Sequence, residues 1–242
     1  MSQGLLRVPL APLSLGVVPL PSEAAHYVTR VHRLREGDRF VAFDPEQGLE
    51  AEATLVEVGR RGAAARIEAV RAAPPPARRQ VTLIQGIGKG DKLDAVVRDA
   101  TELGATRVIP ALTARCVSRP GADRRDRWRR IAVEAARQCG RGDALRVEAP
   151  MGLMEAVALV EGAAGFCLDP AAEMPFGARL RALPASAEVA FVVGPEGGLT
   201  DEEVAACMGA GFVPVRLGRL TLRTETVCAA VLGALLALDD DA

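Results

Sequence analysis

From Gln80 onward, short apolar runs alternate with longer segments in which apolar residues recur at helical spacing. The apolar runs predict strands at Val81–Gln85, Arg107–Pro110, Leu145–Val147, Gly165–Leu168, Val189–Val193 and Val213–Leu217. The intervening segments predict helices at Asp91–Leu103, Arg124–Gln138, Leu153–Glu161, Pro175–Ala182, Asp201–Met208 and Glu225–Leu238. This alternation predicts an α/β domain with a parallel sheet covered on both faces, whose ligands bind beyond the carboxyl ends of the strands.

The first part of the chain has a different pattern, which predicts a small β-rich domain. Alternating or β-branched positions predict strands at Arg39–Phe43, Leu49–Val58 and Ala64–Val70. A short helical pattern runs from Ser22 to Val31. These elements predict a small barrel or sandwich over residues 1–73. The three prolines that follow suit an extended linker, so the second domain is predicted over 77–242.

Two loops stand out at the ends of predicted strands. The run that ends at Val193 is followed by a loop with three glycines and a proline, and Thr200 with Glu203 then forms a capping-box pattern. The second loop holds Gly218 and Leu222–Thr226, before a helix that is apolar nearly all round. Because glycine lets a ligand approach bare backbone, we predict that the two loops are the walls of one site.

Charge adds two basic segments to this pattern. The chain carries 30 Lys and Arg against 31 Asp and Glu, so its net charge of −1 indicates no general affinity for polyanions. The segment from Arg115 to Arg141, however, contains nine arginines and three acidic residues, which give it a local net charge of +6. A second cluster lies at Arg30–Arg39. Both are typical of phosphate or RNA binding, and both equally fit a solvated surface.

The number and positions of the cysteines and histidines exclude several kinds of functional site. The five cysteines form no C-x-x-C pair and are interpreted as reduced core thiols of a cytosolic protein. His26 and His32 are the only histidines, which excludes a His-based metal site or Ser-His-Asp triad in the C-terminal part. No metal site, signal peptide or membrane-spanning segment is predicted. Lone carboxylates such as Glu102, Glu134 and Asp169 are usually structural.

The segment Gly86–Gly90 requires a separate test, because it is rich in glycine and lies between a predicted strand and helix. A dinucleotide fingerprint needs glycine where Asp91 stands, and the lysine spacing of a P-loop is also missing. We therefore predict a tight turn that places Lys89 and Lys92 at a protein or RNA surface.

Five ordered blocks across nearly the whole chain resemble one family. The blocks are Val31–Asp38 with the preceding His26; Gly88–Asp94 with Ala100–Thr106; Arg127–Ala132 with Glu134–Arg141; Gly194–Gly198; and Leu217-Gly218 with Leu222–Thr226. Together they resemble the RsmE family, whose members use S-adenosylmethionine to methylate N3 of a uridine in small-subunit (16S) ribosomal RNA.

The resemblance implies a SPOUT-class methyltransferase with a trefoil knot in its C-terminal α/β domain and a PUA-like β-barrel at its N-terminus. It also implies S-adenosylmethionine as cofactor and a cytoplasmic homodimer whose sites lie near the subunit interface. The implied partner is small-subunit ribosomal RNA within the assembled subunit. Two alternatives stay open: a SPOUT enzyme acting on another RNA, such as a transfer-RNA ribose, and a non-catalytic RNA-binding assembly factor.

The resemblance also implies roles for individual residues. Arg223 is the predicted catalytic cation beside the uracil ring, with Arg219 as a substitute and a structural ion pair as the alternative. Thr224 and Thr226 either bind the cofactor or cap the last helix. The full set of predicted cofactor-binding residues is Leu168, Gly194, Pro195, Glu196, Gly197, Leu217, Gly218, Leu222, Thr224 and Thr226.

Basic residues are predicted to bind RNA phosphates. The predicted RNA-binding set is Arg7, Arg33, Arg35, Lys89, Arg124, Arg127 and Arg219. One departure from the family pattern affects this set, because Arg219 and Leu220 stand where the family usually has proline and arginine. The direction of that basic side chain is therefore expected to differ here.

Overall fold

The computed structural model describes residues 5–60, 62–116, 121–184 and 186–240. The chain divides into two compact units. The first contains the residues up to Pro75 together with Val133–Ala144, and the second contains Pro76–Ala132 together with the residues from Leu145. The domain limits 1–73 and 77–242 stay a prediction. Arg119, one of the nine arginines in the basic segment, lies outside the described residues.

The first unit is built on a mixed sheet. Its strands are β1 (Arg7–Pro9), β2 (Gly16–Pro19), β3 (Arg39–Asp44), β4 (Leu49–Gly59), β5 (Gly62–Ile67) and β6 (Arg71–Ala72). Helix α1 (Ser22–His26) continues as a π-helical segment at Tyr27–Val31, close to the predicted helix. The sheet order is β1-β3-β4-β5-β2, with β6 beside β4 and with β1 parallel to β3.

The predicted barrel is not closed within the described residues, because the pairing path ends at β1 on one side and at β2 on the other. Both end strands are short and finish in proline, at Pro9 and Pro19. Proline has no backbone N–H and is therefore confined to sheet edges. The inward-facing side chains, among them Phe40, Leu55 and Ile67, nevertheless form a buried core.

A buried carboxylate connects three parts of this unit. Glu50 on β4 accepts hydrogen bonds from Arg7 at 2.9 Å and from Arg71 at 2.8 Å. Arg7 also donates to the carbonyl of Arg141 at 3.1 Å, and its guanidinium lies 5.3 Å from the centre of the Phe43 ring. These contacts leave Arg7 mostly buried, so we remove it from the RNA-binding set and assign it a structural role.

The Glu50 network makes stability depend on pH. Burial alone raises the pKa of Glu50, but the hydrogen bonds and charges of Arg7 and Arg71 outweigh burial and hold the pKa below its ordinary value of 4.5. A carboxyl with a lowered folded-state pKa stabilises the fold above the unfolded-state pKa, and this stability is lost as pH falls through the folded-state value. We expect Glu50→Gln to cost about 1–3 kcal/mol near neutral pH and to flatten the acid limb of unfolding curves measured below about pH 4.5. An unchanged acid limb would contradict the assignment.

The second unit contains a parallel sheet. Its strands are β7 (Val81–Gly86), β8 (Arg107–Leu112), β9 (Arg146–Val147), β10 (Met151–Gly152), β11 (Ala164–Leu168), β12 (Val189–Val193) and β13 (Val213–Val215). The order is β10-β8-β7-β12-β11-β13, with β9 beside β8, and every pair is parallel. The predicted parallel sheet is confirmed. Strand β10 was not predicted, because two residues give no detectable periodicity.

The remaining helices follow the prediction closely in position. They are α2 (Lys92–Glu102), α3 (Ala122–Cys139), α4 (Leu153–Ala158), α5 (Phe176–Leu180), α6 (Asp201–Gly209) and α7 (Thr224–Asp240). Strand β13 ends earlier than predicted, because the backbone of Arg216 bonds to Met174 and Phe176 instead of continuing beside β11. Within the described ranges, no helix is both long and apolar enough to span a membrane.

The central strands are buried on both faces. On one face, Ile84 and Val192 pack with residues of α4 and α6. On the other, the rings of Phe166, Phe176 and Phe191 lie with their centres 5.7 to 5.8 Å apart. Side chains two residues apart share a face, so strands that are buried along their whole length, such as β7 and β12, supply both layers. The sheet therefore gives a rigid base for the loops at its carboxyl edge.

Candidate active site

A cleft of about 1180 Å³ lies beyond the carboxyl ends of β11, β12 and β13. The loop after β12 and the loop after β13 both line it, as predicted. A third segment, Leu168–Ala171, lines the cleft between them, because β11 lies between β12 and β13 in the sheet. Of this segment only Leu168 was a predicted site residue. Asp169, interpreted as a structural carboxylate, also faces the cleft.

The loop after β12 is a tight turn that folds onto itself. The amide of Gly198, which has a φ of +71°, donates to the carbonyl of Pro195 at 2.8 Å. A Cβ at Gly194 would lie 2.9 Å from Gly198 C and Leu199 N, closer than side chains tolerate. The turn itself therefore requires glycine at position 194. The predicted capping box follows: Thr200 and Glu203 exchange hydrogen bonds of 2.9 and 3.2 Å at the start of α6.

Charged side chains hold this turn from two sides. The carboxylate of Glu196 accepts from the backbone amide of Lys89 at 3.0 Å and from the Lys92 ammonium at 2.9 Å. From the loop after β8, Arg115 donates to the carbonyls of Gly197 at 2.7 Å and Leu199 at 3.0 Å. Burial raises the pKa of Glu196, but the Lys92 bond and the backbone donors outweigh burial, and the pKa lies below its ordinary value. Glu196 therefore fixes the turn as well as lining the cleft.

The turn also packs closely against the end of β7, which leads to a prediction for Gly86. A Cβ at Gly86 would lie 2.6 Å from the nitrogen and Cδ of Pro195, and both atoms belong to the rigid proline ring. We expect Gly86→Ala to displace the turn, to cost about 1–3 kcal/mol in free energy of unfolding and to speed hydrogen exchange over residues 194–199. Thermal unfolding and exchange mass spectrometry measure both effects.

The matched control is Gly209→Ala, at the end of α6, where a Cβ meets no atom within 4 Å. We expect this variant to leave exchange at 194–199 unchanged. Equal behaviour of the two variants would contradict the close packing at Gly86.

The loop after β13 is more exposed. Gly218 adopts a φ of +74° with open space around its Cα, so glycine is required here for conformation. Leu217 and Leu222 are partly buried walls of the cleft, whereas Leu220 is 78% exposed. Arg223 lines the cleft with an exposed side chain, and in the described part of the chain it pairs with no carboxylate.

Thr224 and Thr226, which were predicted together, have different surroundings. Thr224 begins α7, is buried, and donates to the carbonyl of Gly194 at 2.8 Å while accepting from the Gln85 amide at 2.7 Å. Thr226 is exposed and lies outside the cleft lining. Two residues along a helix correspond to about 200° of rotation, which turns Thr226 away. A cofactor contact of Thr226 stays a prediction.

Two of the predicted RNA-binding residues of the second unit already contact other protein groups, and two are exposed. Arg127 forms an ion pair with Asp94 at 2.5 Å, and Arg124 lies 3.8 Å from Asp91 and donates to the carbonyl of Gly90 at 2.5 Å. Both arginines therefore help to hold α3 against the start of α2. The side chains of Lys89 and Arg219 are exposed.

In the first unit, Arg33 and Arg35 are exposed. Arg33 has a φ of +56°, which is unusual for a residue other than glycine, and the amide of Arg35 donates to the Asp38 carboxylate at 2.7 Å. This turn presents both guanidinium groups to solvent. Like the exposed side chains of Lys89 and Arg219, these two groups are accessible to phosphates.

Several cleft residues were not predicted for the site. Lys92, Arg115 and Arg216 line the cleft, and Gln85 lies beneath it. Lys92 falls in the block Gly88–Asp94 and was predicted to lie at a protein or RNA surface. Arg115 is the first residue of the basic segment, which was interpreted as a phosphate-binding or solvated surface, and Arg216 lies in a predicted strand without any motif.

Comparison with known proteins identifies the family. A model of an RNA methyltransferase domain matches residues 75–236, and a model of an RNA methyltransferase PUA domain matches residues 20–68. Ribosomal RNA small subunit methyltransferase E of Synechocystis sp. is 35% identical over 96% of this chain and 77% of that protein. The chain belongs to the ribosomal RNA small subunit methyltransferase E family. The Bacillus subtilis member is 31% identical over 86% of this chain and 84% of its own length.

A solved structure agrees with this family assignment over nearly the whole chain. Ribosomal RNA small subunit methyltransferase E of Neisseria gonorrhoeae, bound to S-adenosyl methionine, is 30% identical with a TM-score of 0.85. The match covers 97% of this chain and 98% of that one. The predicted SPOUT-type α/β domain and PUA-like N-terminal domain are confirmed. The knot stays a prediction.

Proposed function

We propose that this chain transfers the methyl group of S-adenosylmethionine to N3 of a uridine in small-subunit ribosomal RNA. The observation that carries the proposal is the cleft between the loops after β12 and β13, in a fold shared with a family member bound to S-adenosyl methionine. The family's named activity on small-subunit ribosomal RNA supports the choice of substrate.

The residues of the cleft fit this cofactor. The cleft volume of about 1180 Å³ exceeds what a single nucleoside needs, and ligand pockets of about 300–1,000 Å³ are typical. Leu168, Leu217 and Leu222 supply apolar walls for an adenine ring, while the two glycine-containing loops leave backbone amides and carbonyls accessible. Asp169 adds a carboxylate, which suits a ligand with a positively charged sulfonium. When bound, S-adenosylmethionine supplies an electrophilic methyl carbon.

The chain's own groups must orient the uracil and manage the proton on N3. In-line transfer requires the nucleophilic nitrogen to lie about 3 Å from the methyl carbon. The N3 imide is mostly neutral near pH 7, so a cation beside the ring is needed to stabilise the developing negative charge and to lower the pKa of N3. We assign this role to Arg223, because it reaches the cleft without an ion-pair partner in the described ranges. Its neighbour Thr224 is fixed by two hydrogen bonds, which anchors the backbone next to Arg223.

We also propose that the protein acts as a cytoplasmic homodimer on the assembled subunit. Helix α7 supports a dimer, because it buries Val231, Leu232 and Leu235 while Ala230 and Ala234 stay only partly buried. A nearly continuous apolar helix with a second, partly uncovered face suits a self-association surface. Sedimentation equilibrium tests this directly, and a monomer at micromolar concentration would contradict it.

RNA binding through phosphates makes affinity depend on salt. We expect the double variant Arg33→Ala with Arg35→Ala to reduce the slope of log K against log[salt] by about 1.4 to 1.8, because each phosphate contact contributes about 0.7 to 0.9. The control is Arg39→Ala, whose guanidinium is already paired with Glu52 at 2.5 Å. Filter binding across a salt series measures the slopes. A flat salt response of the unaltered protein would remove the phosphate assignment.

The proposal is tested by methylation of small subunits that lack the modification, followed by nucleoside analysis. N3-methyluridine at a single position is the expected product. A ribose-methylated nucleoside, or modification of transfer RNA alone, would instead support a SPOUT enzyme with another substrate. No product together with no heat of S-adenosylmethionine binding would support a non-catalytic assembly factor.

A further inference from the structure

Gln85 is a polar residue inside β7, a strand that is buried along its whole length. It is the penultimate residue of β7 and is only 1% exposed, and it does not line the cleft. A buried amide needs hydrogen-bond partners to offset the loss of water. The partners of Gln85 therefore indicate what the residue does.

The amide of Gln85 begins a chain of hydrogen bonds that joins three elements. Its Nε2 donates to the hydroxyl of Thr224 at 2.7 Å and to the carbonyl of Gly86 at 3.0 Å. The hydroxyl of Thr224 in turn donates to the carbonyl of Gly194 at 2.8 Å. These bonds connect the end of β7, the first residue of α7 and the turn after β12.

The order of donors and acceptors in this chain of hydrogen bonds determines the direction of the Thr224 hydroxyl hydrogen. A hydroxyl group has one hydrogen, and the NH2 group of Gln85 can only donate. Because Gln85 occupies a lone pair of the Thr224 oxygen, the hydroxyl hydrogen is directed to Gly194. The start of α7 is thereby held against the turn, and Arg223 and Leu222 precede this fixed point by one and two residues, respectively.

The carbonyl oxygen of Gln85 is buried and has no partner among the residues that the structure describes. A buried acceptor without a hydrogen bond destabilises the fold. The amide must therefore provide a benefit that offsets this cost. An apolar residue of similar length, such as methionine, would fill the same volume without that cost. The N–H side of the amide is thus the part that the site uses.

Resting on the proposed function, we infer that Gln85 is a positioning residue for methyl transfer. It acts through Thr224 to set the distance between the two cleft loops, and thereby the position of Arg223 relative to the bound methyl donor. It touches neither donor nor uridine. Removal of its N–H changes no residue that lines the cleft, but it lets the loop at 217–223 move relative to the turn at 194–199.

The experiment compares Gln85→Met, Thr224→Val and the double variant. We expect each single change to weaken S-adenosylmethionine binding about 5- to 30-fold by calorimetry, to lower kcat more than it raises KM, and to speed hydrogen exchange over residues 217–224. Because both changes break one chain of bonds, the double variant is expected to be no worse than the worse single variant. Thr224→Ser, which keeps the hydroxyl, is expected to restore affinity and exchange protection. Gln138→Met, on the exposed side of α3, serves as the control.

Two results would overturn the inference. One is additive losses in the double variant, which would mean that Gln85 and Thr224 act separately. The other is unchanged exchange at 217–224 in Gln85→Met, which would make Gln85 a packing residue. Exchange needs no methyl donor, so it tests the hydrogen-bond chain even if the unaltered protein fails to bind S-adenosylmethionine. That failure would remove the proposed function alone.

Discussion

Replacement of Arg223 by alanine is expected to lower the rate of methyl transfer about 10²- to 10³-fold and to change the dissociation constant of S-adenosylmethionine by less than about threefold. The magnitude is that of removing one group aimed at a developing negative charge. The reason is that Arg223 reaches the cleft with its charge uncompensated in the described ranges. Single-turnover methylation and calorimetry on the same preparation separate the two quantities.

Arg219→Ala is the matched control, because Arg219 also lines the cleft from the same loop and is exposed. We expect it to weaken RNA binding with less than about a tenfold loss of rate. The assignment of Arg223 is wrong if Arg223→Ala abolishes cofactor binding while the remaining complex reacts at the normal rate, because such a residue only holds the loop. A larger loss of rate in Arg219→Ala would transfer the catalytic role to Arg219.

The second large effect is expected at a buried ion pair remote from the cleft. Arg79, just before β7, forms two bonds of 2.5 and 2.9 Å with Asp239 in the last turn of α7, and a third of 2.9 Å with the carbonyl of Pro184. The two side chains are only 2% and 8% exposed. Loss of one partner leaves a buried unpaired charge, so Asp239→Ala is expected to cost about 3–5 kcal/mol. Scanning calorimetry is expected to show a melting temperature lower by roughly 10 °C.

The exposed pair of Arg39 and Glu52 provides the comparison. Their side chains are 58% and 52% exposed, and Glu52→Ala is expected to cost less than about 1 kcal/mol. Replacement of both buried partners, as Arg79→Met with Asp239→Leu, is expected to recover much of the loss, because no charge is then left unpaired. Equal small effects at the buried and exposed pairs would show that solvent reaches the buried pair.

The sequence predicted the parts of the site that depend on local pattern. Apolar runs placed β12 at the observed residues, and the Thr200–Glu203 spacing predicted the capping box. Glycine positions marked both cleft loops, since tight turns and positive φ angles select glycine locally. The family blocks added the expected cofactor and substrate, which periodicity alone does not indicate.

Features that depend on strand order or on the start of a helix could not be predicted in the same way. The position of β11 between β12 and β13 brings Asp169 to the cleft, and sheet order is not readable from strand spacing. Helix α7 begins one residue earlier than predicted, which buries Thr224 and turns Thr226 outward. Arg7 looked like an RNA-binding residue until its long-range partner Glu50 was known.

The most direct test of the account is a crystal structure of the protein grown with S-adenosylmethionine. We expect the adenosine between the loops at 194–199 and 217–224, with the methyl carbon facing Arg223. Density for the methyl donor at any other place, with this cleft empty at saturating concentration, would contradict the account.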